Sequence, residues 1–286
     1  MSKKYLRSCG NANMNTGSSA CKVDWGHVKG AILVEHGQKL PENLTPESLA
    51  QLCHADRPQR IYPIAPFIEY AKNGGEAQVA ANGYGPAQYN GMSPQTDTFT
   101  MPRYDEMIGT GLTRTASKEW DVYFWDSNNA LIGYNDGTGI LAGFPMSSVY
   151  PTATPFSTSS AKSALAVNFC HRDSEDMQKN FDYVMLDFNP INFAKGLTEC
   201  QLVEISSGKY KIVEKMGGYD RTPEFGTVFA SAVTEICTGP SAASYDATKA
   251  EITFTGGEGG ITVKAPSVLF TSDIKWIEIV EVVPFE

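Results

Sequence analysis

Between Arg60 and Val184 the chain is cut by Gly and Pro into short runs of strand-forming residues. Such punctuation leaves little room for long helices and reads as a mostly β architecture. One run within it is unusual. "EAQVAANGYGPAQYNG", Glu76 to Gly91, is long, rich in small residues and two-sided, with Ala77, Val79 and Ala81 opposite Gln78 and Ala80. A strand of this kind sets its register only weakly by its own burial, so a partner strand or subunit is expected to fix it.

The flanking segments add a few helices. "VKGAILVEHG" reads as a strand ended by Gly37, and "LTPESLAQLCHA" as a short helix with Thr45 as N-cap and Pro46 at the first helical position. A helical turn is expected around Met107, and a helix after Ser174, its N-cap, with Glu175 and Asp176 in the first turn. Beyond "NPINFAKGLTE" the pattern changes. "CQLVEISSGKYKIVEK" is a hairpin turning at Ser207-Gly208, "EITFTGGEGGITVKAP" reads as a second one turning through Gly256 to Gly260, and "KWIEIVEVVPF" as a closing strand. Short strands separated by turns over ~90 residues fit a small immunoglobulin-like β-sandwich, here without the Cys…Trp…Cys pattern of antibody domains. The expected division is an extended assembly arm over residues 1–22, a β-rich core domain over 23–195 and a sandwich over 196–286.

Composition restricts the function. With 286 residues and 42% apolar content the chain can bury a real core, while its 19% of charged residues is low. The net charge of -9 and the lack of basic clusters beyond Lys3-Lys4 argue against broad binding to a nucleic-acid backbone. The N-terminal segment holds no apolar core of signal-peptide length, and no stretch approaches a membrane span. The expectation is synthesis in the cytosol without a cleaved export signal. The six cysteines are scattered without a C-x-x-C pair, so reduced structural thiols are expected.

The candidates for chemistry are weak. "WDVYFWDSNNALIGYNDGTGILAGFP", Trp120 to Pro145, has the oxygen-rich look of a calcium loop. Counting from Asp126, however, Ala130 and Leu131 stand where a ligand and a glycine are required, and Gly137 where the bidentate Glu belongs. Asp126 to Asn129 and the "YNDGTG" segment are better read as turns that tolerate left-handed backbone. His27, His36, His54 and His171 show no helical zinc spacing, and the pairs Cys53-His54 and Cys170-His171 point to opposite faces if they lie on strands. "GYGPAQYNG" lacks the third glycine of a dinucleotide fingerprint, and no phosphate loop is present. Trp120, Tyr123, Phe124 and Trp125 could form a sugar-stacking platform, but alternating aromatics in a strand are more often core. No catalytic residue, metal or cofactor is expected.

The order of segments resembles that of structural virion proteins of tailed phages infecting gut Bacteroidales. The stretches that carry the resemblance are "CKVDWGHVKGAILVEHGQKLP", "ADRPQRIYPI", "FIEYAKNGGEAQVAANGYGP", "TDTFTM", the Trp120–Pro145 stretch and "NFDYVMLDF", together spanning roughly residues 20–190. The resemblance implies a major tail (tube)-like protein: a mainly β chain with a β-sandwich or half-barrel, one or two short helices and a long hairpin, plus the C-terminal immunoglobulin-like sandwich. It implies a non-enzymatic role in a virion. Six copies would close a ring, and the rings would stack as a tail tube or connector. Other virion proteins would be partners, DNA would pass without specific binding, and no membrane would be involved. Asn11, Asn13, Val79, Tyr84, Tyr89 and Phe99 are the expected assembly residues. The alternative is a carbohydrate-binding or glycan-processing β-protein using the Trp120–Trp125 aromatics, which requires those rings to be exposed.

Overall fold

The computed structural model describes residue 17 and residues 24–81, 83–153, 156–256 and 260–285. Asn11 and Asn13 therefore lie outside the described residues, as does nearly all of the expected arm. Strand makes up 40% and helix 17%, so the chain is mainly β, with several antiparallel sheets and a few short helices, as expected. It divides into two compact units. The first holds the residues up to Leu49 together with Ile61–Ala194; the second holds Ala50–Arg60 together with Lys195–Glu286. The sequence places a single boundary after residue 195, whereas this division also assigns Ala50–Arg60 to the C-terminal unit.

The first unit is a branched ten-stranded sheet. Its strands are β1 (Val28–Glu35), β2 (Tyr62–Ile64), β3 (Glu69–Gly74), β6 (Gln95–Thr100), β7 (Trp120–Asp126), β8 (Ala130–Asn135), β9 (Leu141–Ala142), β10 (Phe144–Pro151), β11 (Ala166–His171) and β12 (Phe181–Met185). A separate two-stranded ribbon, β4 (Ala77–Ala80) with β5 (Gln88–Met92), interrupts the series between β3 and β6. Short helices α1 (Pro46–Cys53), α2 (Glu106–Arg114) and α3 (Asp176–Lys179) complete this part of the chain, α1 running from the first unit into the second. Thr45 caps α1 as expected: its Oγ1 accepts from the Ser48 N–H at 3.1 Å. Asp105 caps α2 by accepting from the Ile108 N–H at 3.0 Å. Ser174 does not cap α3; its Oγ instead accepts from the Gln95 N–H at 2.9 Å, and Glu175 is the cap residue.

Strand β7 is the branch point. One edge pairs with β1 over the whole strand, from Trp120↔Glu35 to Asp126↔Val28. The other edge is shared: Trp120 to Val122 pair with β10, while Phe124 and Trp125 pair with β8. The chain therefore has to pass from the edge of β8, where β9 pairs, to the edge of β7, where β10 pairs. Gly143 sits at that crossing. A Cβ there would lie 2.7 Å from the Val122 nitrogen and 2.8 Å from the Asp121 carbonyl carbon, so only glycine lets the two backbones approach. All seven residues of β7 are buried. Trp120, Val122 and Phe124 join the main core, where Phe124 lies 5.3 Å from both Phe99 and Phe169. On the opposite face the Tyr123 hydroxyl accepts from the Leu40 N–H at 3.2 Å and donates to the Leu141 carbonyl at 3.1 Å.

The second unit is built on a five-stranded mixed sheet in the order β16-β17-β14-β13-β19. Its strands are β13 (Thr198–Ser206), β14 (Lys209–Glu214), β16 (Ala242–Asp246), β17 (Glu251–Thr255) and β19 (Ile277–Val283), with a small ribbon of β15 (Cys237–Thr238) and β18 (Thr262–Val263). The β13–β14 hairpin turns at Gly208 as expected, with φ +73. Two expectations change. The segment from Glu251 to Pro266 is not a hairpin, because β17 pairs with β16 and β14 while β18 pairs with β15. And where a second sheet of an immunoglobulin-like sandwich is expected, helix α4 (Thr222–Ser231) covers the sheet at β14, β16 and β17, with α5 (Val233–Ile236) and α6 (Pro266–Thr271) beside it. The reason is local: Phe225, Val228 and Phe229 recur at helical spacing, and Phe225 and Phe229 are buried in the core of this unit. Gly226 brings α4 close to the sheet, since a Cβ there would meet the Tyr245 ring at 2.4 Å.

The Ala50–Arg60 segment is tied into the same unit. Arg60 forms a two-pronged pair with Glu278 at 2.7 and 3.1 Å. The His54 ring is held at both nitrogens, with Nδ1 2.7 Å from the Ala50 carbonyl and Nε2 accepting from the Trp276 N–H at 2.8 Å.

Candidate assembly surface

The runs Glu69 to Ala80 and Gln88 to Thr100 form one long, bent, two-stranded arm. Its stem is β3 against β6, in register from Glu69↔Thr100 to Gly74↔Gln95. Its outer part is the β4–β5 ribbon, in register from Ala77↔Met92 to Ala80↔Gln88. At ~3.3 Å per residue the twelve residues from Glu69 to Ala80 reach up to ~40 Å. The bend between stem and ribbon is specified by glycine. Gly74 and Gly75 have φ of +76 and +73, and a Cβ on Gly74 would lie 1.9 Å from the Pro94 carbonyl oxygen. The Ser93 N–H closes the bend by donating to the Glu76 carbonyl at 2.9 Å.

The base of the arm is anchored by a buried polar cluster. Asp97, on β6, is 3% exposed. Its carboxylate lies 2.6 Å from His171 Nε2, accepts from the Tyr70 hydroxyl at 2.9 Å and accepts from the Gln95 amide at 3.1 Å. A buried carboxylate needs several donors to offset its lost hydration, and this one has three side chains supplying them. Burial, then the neighbouring Asp97 carboxylate, pushes the Tyr70 hydroxyl above the ordinary tyrosine range. Beside the cluster, Phe99 stacks on Phe67 at 4.9 Å and on Tyr70 at 5.0 Å.

Beyond the bend the chemistry reverses. No charged residue occurs from Ala77 to Met92. All four residues of β4 are exposed, as are Gln88, Tyr89 and Asn90 on β5. Val79 and Tyr89 face each other across the ribbon at 65% and 58% exposure, and Tyr84 near the tip is fully exposed. One link ties the ribbon back: the Tyr89 hydroxyl donates to Glu175 Oε1 at 2.9 Å, and Glu175 also pairs with Lys179. Those two contacts, Lys179 first, hold the Glu175 carboxyl below its usual range. The outward edge of β3, last in the sheet order, has no strand partner among the described residues.

Of the expected assembly residues, the structure thus gathers Val79, Tyr84 and Tyr89 on one exposed ribbon. Phe99 is corrected: it is 4% exposed in the main core, because the inward face of β6 carries Gln95, Asp97 and Phe99 together. The Trp120–Trp125 platform is corrected as well. Trp120 is 5% and Trp125 0% exposed, so no sugar can stack on either ring. Gly30 admits the Trp125 indole, where a Cβ would meet the ring at 2.2 Å.

The remaining candidates are also accounted for by structure. Asp126 accepts from the backbone N–H groups of Gly26, Asn128 and Ala130 at 2.8, 2.9 and 2.8 Å, which occupies the oxygens a metal would need. Asn129 takes the left-handed conformation of the turn, with φ +62. Asp136 accepts from the Thr138 hydroxyl at 2.6 Å and pairs with Lys39. Burial raises its carboxyl and these donors lower it further, to a net value of about 2. Among the described residues no three metal-ligating side chains converge, and no helix is long and apolar enough to cross a membrane. Burial pushes the Cys53 thiol up to about 12.

No protein-family model matches the chain. No curated protein matches it either. Among solved structures it shows a weak likeness to the cryo-EM structure of the anti-feeding prophage cap, a tube-terminating cap, at 10% sequence identity and a TM-score of 0.26, covering 56% of this chain and 95% of that one.

Proposed function

We propose that this chain is a non-enzymatic structural protein of a tailed-phage virion that assembles with copies of itself through the Glu69–Thr100 arm. The rings so formed, of six copies, stack as a tail tube or connector alongside other virion proteins. The observation that carries this reading is the β4–β5 ribbon. It is uncharged and exposed on both faces, and it displays Val79, Tyr84 and Tyr89 to solvent. A lone two-stranded ribbon is marginally stable in water. Neighbouring strands would complete its hydrogen bonding and bury those side chains, and would cover the open edge of β3. The net charge of -9 suits a passage through which DNA moves without adhering.

The test is sedimentation velocity of the full chain over a concentration series, combined with electron microscopy of the same samples. Closed rings or stacked rings are expected. A chain that stays monomeric at every concentration and forms no ordered particle overturns the proposal.

A further inference from the structure

A second surface of the first unit is concave and mainly apolar. It encloses about 430 Å³, within the ~300–1,000 Å³ of ordinary binding pockets. Leu40, Leu131, Leu141 and Leu186, all buried, line it with the Tyr123 ring. Its rim is acidic: Glu42, Glu47 and Asp187 are exposed there, and none has an ion pair among the described residues. Three unpaired carboxylates around an apolar pocket fit a short segment with a hydrophobic centre and basic flanks.

Residues 3–7 form such a segment, and they belong to none of the described strands or helices. Lys3 and Lys4 precede Tyr5-Leu6 and Arg7 follows, and no acidic residue occurs before Asp24. The first continuous described stretch also begins near the pocket, at Asp24. The Asp24 carbonyl accepts from the Asn128 side chain at 3.4 Å, and Asn128 stands three residues before Leu131 of the lining. Three residues of extended chain cover ~10 Å. The sixteen residues from Ser8 to Val23 span up to ~50 Å, so reach does not limit the segment. We propose that this pocket receives residues 3–7 of this chain, with Tyr5 and Leu6 in the apolar floor and Lys3, Lys4 and Arg7 against Glu42, Glu47 and Asp187. The assignment does not rest on ring assembly, because the segment can come from the same chain or from another copy.

The experiment uses the full chain carrying Asn43→Cys, a solvent-facing position on the pocket lining. A short bis-maleimide is added, and the linked peptides are identified by mass spectrometry. Cys9, two residues beyond Arg7, is expected to link to the introduced thiol in preference to Cys21. Tyr5→Ala/Leu6→Ala, and separately Lys3→Glu/Lys4→Glu/Arg7→Glu, keep the tether length and leave the described core untouched. Each is expected to lower that link roughly tenfold, as the loss of a few modest contacts does. A Cys9 link that is absent, or that stays as abundant in both variants as in the chain carrying Asn43→Cys alone, overturns the assignment. Mixing isotope-labelled with unlabelled chains shows whether the link lies within or between copies. Either result supports the pocket assignment, while ring formation is judged separately by microscopy.

Discussion

At the scale of single residues, the polar side chains that matter most are buried ones holding the backbone in place. Asp97 is the sharpest case, because Tyr70, Gln95 and His171 all converge on it. Asp97→Ala leaves the buried Gln95 and His171, and the half-exposed Tyr70 hydroxyl, without this acceptor and is expected to cost roughly 2–4 kcal/mol in urea unfolding. A loss below about 0.5 kcal/mol, the size of an ordinary surface change, contradicts the role assigned to it. His54 gives a pH signature. Burial, more than any other influence, lowers its pKa below 6.5, and its Nε2 must stay unprotonated to accept from the Trp276 N–H. The folded state therefore resists a proton that the unfolded chain binds readily. Stability from this residue is complete above 6.5 and declines as pH falls from there toward the folded pKa. His54→Ala should flatten that part of the stability–pH curve; a curve of unchanged shape would count against it. Sequence alone could reach the Asp126 turn, because all of its partners except Gly26 lie within four residues. It could not reach Asp97 or Phe99. Which face of β6 turns inward depends on β3 and β11, and neither is local.

At the scale of elements, glycines decide where strands can meet. Gly30→Ala would drive a Cβ into the Trp125 ring, and overpacking of this kind is expected to cost about 1–3 kcal/mol by denaturant unfolding. The ribbon behaves in the opposite way. Val79→Asp/Tyr84→Asp touches no core, so the thermal midpoint of the isolated chain should hold while ring formation is lost. Rings formed normally by that double variant would remove the ribbon from the interface. The oddity of the ribbon was legible as a run of small, uncharged residues with no buried face, and the arm as a whole became visible only through the β3–β6 pairing. Helix α4 carries a helical signal of its own in the sequence. Pro223 at the start, Glu224 in the first turn and Phe225, Val228 and Phe229 at helical spacing mark a helix in a segment otherwise full of strands.

For the whole molecule, two separate cores imply two separable stabilities. The thiols whose pKa is raised fall in one unit: Cys53 to about 12, Cys200 and Cys237 to about 11, in each case chiefly by burial. Each favours the neutral form in the folded state, so its contribution is intact below 9.0 and is lost as pH rises from there toward 11–12. In the first unit the buried Tyr123 and, more weakly, the half-exposed Tyr70 act in the same sense, but only above 10.0, where an unfolded tyrosine ionises. Calorimetry between pH 9.0 and 10.0 should therefore show one transition moving down while the other holds. Transitions that move together would show that the units do not melt independently. The assignment of Ala50–Arg60 to the C-terminal unit explains why Cys53 belongs to this group. That assignment was invisible in the sequence, since the Arg60–Glu278 pair joins positions more than two hundred residues apart.

The branching at β7 has a consequence in time. Its pairing with β8 closes a turn of a few residues, whereas its pairing with β1 must wait for segments about ninety residues apart to meet. Forming distant contacts is slow, because the ends of a long loop must be found before any bond rewards the search. Once formed, β7 has both edges occupied and both faces buried, so its amides have no local route to solvent. The strand whose pairing with β1 is among the slower contacts to form should then be among the slowest to exchange its hydrogens for deuterium, releasing them only when the unit opens as a whole.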